Sequence, residues 1–129
     1  MKIVSTEIFL FKIPMTPFTI ATGTMHYAQN MVIKMHTDEG IIGWGECSAF
    51  PMIVGETQLS CYNIAKDFAT YWKGKDPLAI TERLHELDTI IAGNYTAKSA
   101  FDLALYDIAA KAAGKPLYAF LGGESKPIE

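Results

Sequence analysis

The hydrophobic period of this chain changes once, and that change constrains the fold more than any other feature. In the first part apolar residues tend to alternate: Met31, Ile33 and Met35 are spaced by Val32 and Lys34, and β-branched and aromatic residues crowd positions 2–13. After Cys47 the spacing becomes helical, with Leu59, Ile64, Phe68 and Trp72 recurring around Cys61 and Ala65. A period of two buries one face of a strand, and a period near 3.6 buries one stripe of a helix. Strands come first and helices follow, so the class is α+β.

Residues 2–13 predict a first strand, closed by Pro14 and Pro17. The stretch "PFTIATGTM" (17–25) is small, polar and glycine-containing, and reads as a loop. A second strand carries Met31, Ile33 and Met35, "TDEG" (37–40) turns the chain, and a third strand starts at Ile41. Together these make a three-stranded antiparallel meander. "SAFPMIVGE" (48–56) reads as an irregular apolar loop. A bundle of three helices follows. The first carries Phe68 and Trp72. Asp76 and Pro77 open the second as N-cap and first turn, with Ile80, Leu84, Leu87 and Ile91 on one face and Gly93 at its end. Asn94 or Thr96 caps the third, which runs to Gly114, a left-handed stop before Pro116. A last short turn, "LYAFLGG", completes a domain at 1–123, and "ESKPIE" (124–129) reads as a linker.

The length of 129 residues, half of them hydrophobic, suits one globular domain. Its 14 acidic and 11 basic residues are scattered, with no run that would make a nucleic-acid footprint. Cys47 and Cys61 stand outside any metal or redox spacing and read as reduced, buried thiols of a cytoplasmic protein. Ser5, Thr6 and Glu7 interrupt the apolar start, which argues against a secretory signal, and no apolar run approaches the roughly 18 residues that span a bilayer. Neither nucleic acid nor membrane is expected as a partner.

Candidate chemistry is sparse. His26, His36 and His85 are isolated, whereas metal sites need clustered ligands, so structural or solvent-facing roles are expected. The glycines of "GWGE" (43–46) lack a phosphate-loop pattern and read as points of close backbone approach, with Glu46 in a surface or hydrogen-bonded role. Asp107 and Lys111, four apart on an apolar helix, fit an ion pair whose carboxylate satisfies donors at a packing interface. Neither a catalytic residue nor a metal ligand is assigned. Two apolar segments remain: Phe18 with Ile20, and Phe50 with Met52, Ile53 and Val54, a surface meant to be covered.

Three stretches carry a family resemblance: "GIIGWGECSAF", "GNYTAKSAFDLALYDIAAKAAGKPLYAFLGG" and "TPFTIATGT". Together they resemble the N-terminal capping domain of the enolase superfamily, in the mandelate racemase/muconate lactonizing enzyme group, and most of all the dipeptide epimerases. The resemblance covers residues 2–123. It implies that the two apolar segments are specificity loops over the mouth of a (β/α)8 barrel, with Phe18, Ile20 and Thr24 in the first pocket wall and Phe50, Met52 and Ile53 in the second. It also implies two opposed acid/base lysines and three acidic Mg2+ ligands on barrel strands, which need about 200 residues or more of their own. The barrel is absent from these 129 residues.

The expected function is therefore that of a substrate-capping and specificity domain of a Mg2+-dependent isomerase. The reaction implied is abstraction of the proton alpha to a carboxylate and its return on the opposite face, in a dipeptide. The C-terminal barrel, and a second copy in a homo-oligomer, are the expected protein partners, and the 129 residues alone are expected to be inactive. No cation stands between positions 17 and 25, so apolar or small dipeptides are expected over Ala-Glu. The alternatives are a free-standing, non-catalytic interaction module of this fold, or the cap of a muconate cycloisomerase or an o-succinylbenzoate synthase.

Overall fold

A computed structural model describes residues 1–128. Three strands, β1 (Ile3–Ile20), β2 (Gly23–Thr37) and β3 (Ile42–Ala49), precede five helices: α1 (Pro51–Val54), α2 (Gln58–Trp72), α3 (Ile80–Ile90), α4 (Tyr95–Ala112) and α5 (Leu117–Phe120). The strands form one antiparallel sheet in the order β1-β2-β3. The α+β meander-plus-helices reading holds, with two four-residue helices added to the three long ones.

Met31, Ile33 and Met35 turn one face of β2 toward the helices and are buried, as the alternation requires. They join Cys61, Ala65, Phe68 and Trp72 of α2, Leu87 of α3, and Ala97, Phe101, Leu105 and Ile108 of α4 in one core. Phe101 meets both Phe68 and Trp72 edge-on, with ring centroids 5.3 Å apart in each pair. Cys47 and Cys61 are both free and buried. The Cys47 thiol is pushed up by its hydrogen bond with Cys61 and by burial, which keeps it protonated.

Gly43 and Gly45 let α4 lie directly on β3. A Cβ on Gly45 would stand 1.8 Å from the Ala100 carbonyl oxygen, and one on Gly43 2.4 Å from that of Ala104. The close-approach reading of "GWGE" is correct, and Glu46 is hydrogen-bonded as expected, its Oε1 accepting from Asn30 Nδ2 at 2.6 Å. His36, like Glu46, lies on the face of the sheet away from Met31, Ile33 and Met35, its Nε2 2.6 Å from Glu7 Oε1; that hydrogen bond is the chief reason the Glu7 carboxyl sits below its ordinary range.

Four local expectations are corrected. Pro14 and Pro17 do not close β1, which runs on to Ile20; β1 is an edge strand, and a register shift between Pro14 and Phe18 absorbs both prolines. The stretch 17–25 is consequently the tip of a long hairpin, not a loop, and only Ala21 and Thr22 lie outside its strands. Pro51 starts a helical turn inside the supposed irregular segment, closed by Gly55 at φ 73°. Asp76 caps a turn rather than a helix: its Oδ1 accepts the Leu78 N–H at 2.9 Å, and α3 begins only at Ile80.

The start of α4 differs as well. Asn94 occupies the N-cap at φ 53° without a capping side-chain bond. The Glu56 carboxylate does that work from 40 residues away, accepting the Thr96 N–H at 3.1 Å and its hydroxyl at 2.8 Å. α4 ends at Ala112, and Gly114, at φ 65°, supplies the expected left-handed stop.

Candidate functional site

β3 pairs with β2 only as far as Ala49 opposite Gln29. Beyond that point β1 and β2 continue alone as a two-stranded arm, and α1 follows β3 at the root of this arm. Gln58 pins the root to α2, its Nε2 donating to the carbonyl oxygens of Phe11 and Asn30, both at 2.8 Å. At the tip, Thr19 and Thr24 face each other with hydroxyl oxygens 2.9 Å apart.

Between arm and α1 lies a cavity of about 200 Å³, lined by Thr24, Met25, His26, Tyr27 and Gln29 from β2 and by Ala49, Phe50, Pro51 and Met52 from the other side. Phe50 is half-buried at the N-cap of α1, and its carbonyl accepts the N–H groups of Ile53 and Val54 at 3.0 Å. Of the six residues expected to wall a substrate pocket, Thr24, Phe50 and Met52 meet here. Phe18, Ile20 and Ile53 lie outside the lining: Phe18 and Ile53 are 49% and 61% exposed, and Ile20 is half-buried at the end of β1. The lining residues that sequence reasoning missed are Met25, His26, Tyr27 and Gln29 of β2, with Ala49 and Pro51. Continuing the β2 alternation past Met31 toward the tip would have found Gln29, Tyr27 and Met25, the last of them hidden by the loop reading of 17–25.

Among the described residues the lining includes no Lys, Arg, Asp or Glu. Beside its apolar walls it offers the Thr24 and Tyr27 hydroxyls, the Gln29 amide and the His26 imidazole as hydrogen-bonding groups.

Two other depressions flank α4. One, of about 530 Å³, is lined by Val32, Trp44, Glu46, Leu103, Asp107, Lys111 and Leu117. In it Asp107 Oδ2 accepts both the Trp44 N–H at 2.8 Å and Lys111 Nζ at 2.6 Å, the donor-satisfying role expected for this pair. The other, of about 270 Å³, holds Lys98, Asp88 and Asp102. Lys98 is buried but satisfied, donating to Asp88 Oδ1 and to the Ile91 carbonyl at 2.8 Å. Burial raises the Asp102 carboxyl above its ordinary range. Among the described residues no three His, Cys, Asp or Glu side chains converge to hold a metal ion, so these residues do not fit a magnesium site.

A three-stranded meander backed by helices, with a shaped and largely apolar cavity at its rim, has the form of a capping domain. The chain belongs to the mandelate racemase / muconate lactonizing enzyme N-terminal domain family, which it matches over residues 4–122. It is 42% identical over 126 residues to the D-Ala-D/L-Ala epimerase of Cytophaga hutchinsonii, covering 95% of this chain and 34% of that protein. It is 36% identical to the N-succinyl-L-Arg/Lys racemase of Bacillus cereus, again over 95% of this chain and 34% of the relative. A crystal structure of the Cytophaga hutchinsonii dipeptide epimerase, complexed with Mg and D-Ala-L-Val, superposes with a TM-score of 0.95 at 40% identity, covering 99% of this chain and 35% of that one. The chain thus spans about one third of the length of these relatives.

Proposed function

We propose that residues 1–123 are the capping and specificity domain of a Mg2+-dependent epimerase acting on small or apolar dipeptides, and that 124–129 lead into a C-terminal barrel. The observation that carries this reading is the cavity: two segments far apart in sequence, one bearing Thr24 and the other Phe50 and Met52, wall a single apolar recess at one end of the sheet. The Cytophaga hutchinsonii relative, with its bound magnesium and D-Ala-L-Val, supports the choice of metal and substrate class.

On this reading the chain's own residues bind and orient. Thr24, Phe50 and Met52 surround one substrate side chain, with Phe18, Ile20 and Ile53 at the outer edge, and their closure excludes water from the reacting carbon. Proton removal and return belong to the barrel, as does magnesium, for which the described residues gather no cluster of ligands. No step of the chemistry is assigned to these residues. No helix among the described residues is long and apolar enough to cross a membrane.

The test is α-proton exchange in deuterium oxide. The full-length protein with Mg2+ should wash deuterium into dipeptides, lose that activity on chelation, and prefer L-Ala-L-Ala to L-Ala-L-Glu; residues 1–129 alone should be silent. Preference for L-Ala-L-Glu by tenfold or more overturns the substrate assignment, and exchange by the isolated chain overturns the division of labour.

A further inference from the structure

Gly23 opens β2 at the hairpin tip, opposite Ile20, with φ 150°. A Cβ placed on it would stand 2.7 Å from Met52 Sδ and 3.8 Å from Met52 Cε, and among the described residues no other atom beyond its chain neighbours comes within 4 Å. Met52 is the second residue of α1 and half-buried. The hydrogen bonds of α1 are internal, from the N–H groups of Ile53, Val54 and Gly55 to Phe50 and Pro51. Among the described residues, then, what a side chain at position 23 would meet is a thioether, a flexible and polarizable group that follows the shape of what it rests on.

We propose that Gly23 and Met52 together form a specificity element, in which the missing side chain at position 23 lets the Met52 thioether lie across the hairpin tip. That placement sets the length of the cavity and restricts it to small apolar side chains. Gly23 touches no substrate; it is a positioning residue that acts through Met52. Any side chain at 23 displaces the thioether, and the cavity changes shape although no wall residue has been replaced. The inference rests on the proposed function and adds to it the residue pair that limits substrate size.

The experiment is a double-mutant cycle in the full-length protein, read as the ratio of kcat/KM for L-Ala-L-Ala over L-Ala-L-Phe. Met52→Ala should lower this ratio by about tenfold or more, the scale of discrimination by small apolar groups in a pocket. Gly23→Ala should also change the ratio in the wild-type background and leave it unchanged once Met52 is alanine. An equal effect of Gly23→Ala in both backgrounds overturns the proposal, as does a Met52→Ala protein with an unaltered ratio. The left-handed φ at 23 strains any alanine there, so the contact is also read without that variant. In methyl-labelled protein, a Met52 methyl signal, assigned by its loss in Met52→Leu, should show a nuclear Overhauser effect to Gly23; its absence discards the pair. If no dipeptide is turned over, the proposed function fails by itself and this signal still decides the contact.

Discussion

Asp107 on α4 accepts the backbone N–H of Trp44 on β3 at 2.8 Å, and its ion-pair partner Lys111 donates to the Ile42 carbonyl at 2.8 Å. β3 is an edge strand, so these two groups point away from the sheet, where another chain could pair with them. The helix that buries the face of β3 also covers part of its edge. Replacing Asp107 by alanine should cost about 1 kcal/mol, the net worth of one hydrogen bond, and should raise self-association. Asp107→Asn, which keeps an acceptor and loses only a partly exposed ion pair, should cost less than about 0.5 kcal/mol. Urea unfolding with light scattering checks both; an alanine variant as stable and as monodisperse as wild type would remove this role.

The contact between β3 and α4 leaves no space for a methyl group. Gly45→Ala sets a Cβ against the Ala100 backbone, which cannot give way without lifting the helix, and should cost about 3 kcal/mol or more. Gly40→Ala meets no atom within 4 Å and carries only the strain of φ 79°, about 1 kcal/mol. Equal losses for the two in equilibrium unfolding would show that the helix does not rest on Gly45.

Leu105 and Phe18 separate stability from binding. Leu105 is fully buried, so Leu105→Ala should cost roughly 2 to 5 kcal/mol. Phe18 is about half exposed, so Phe18→Ala should leave stability within about 0.5 kcal/mol while changing substrate affinity of the full-length protein. A loss of several kcal/mol at Phe18 would place it in the core and end its role at the pocket edge.

Asp102 gives a pH dependence of definite sign. Burial raises its carboxyl in the folded chain, and Oδ1 is buried without a hydrogen-bond partner among the described residues. The folded state therefore holds this proton to higher pH than the unfolded state. Its contribution is fully present below the unfolded carboxyl range and is lost as pH rises through the folded value. Asp102→Asn, neutral throughout, should raise the urea midpoint at pH 7 and leave it nearly unchanged at pH 3. A midpoint lowered at pH 7 would mean that the charged form is stabilised by a partner.

The meander, the three long helices and the order of elements were legible because each rests on a local period that packing then obeys, as Met31, Ile33 and Met35 do beneath α4. Gly43, Gly45 and Asp107 could also be assigned by residue type: glycines in a strand permit close approach, and a carboxylate on an apolar helix must find donors. What could not be read was set by distant residues. Glu56 caps α4 from 40 positions away, and no local pattern marks it. The prolines of β1 end a central strand but not an edge strand, and edge status is a property of the whole sheet. Missing that, the reading stopped β1 seven residues early and lost the β2 wall of the cavity, although it named Thr24, Phe50 and Met52.

Kinetics of a full-length Phe50→Ala variant put the division between cap and chemistry to the most direct test. Phe50 walls the cavity, so a domain that shapes the site without reacting should move the ratio of kcat/KM for L-Ala-L-Ala over L-Ala-L-Phe by about tenfold, mostly through KM, and leave kcat for L-Ala-L-Ala within a few-fold. A collapse of kcat for both substrates with their ratio unchanged would place this wall in the reacting machinery and contradict the capping role.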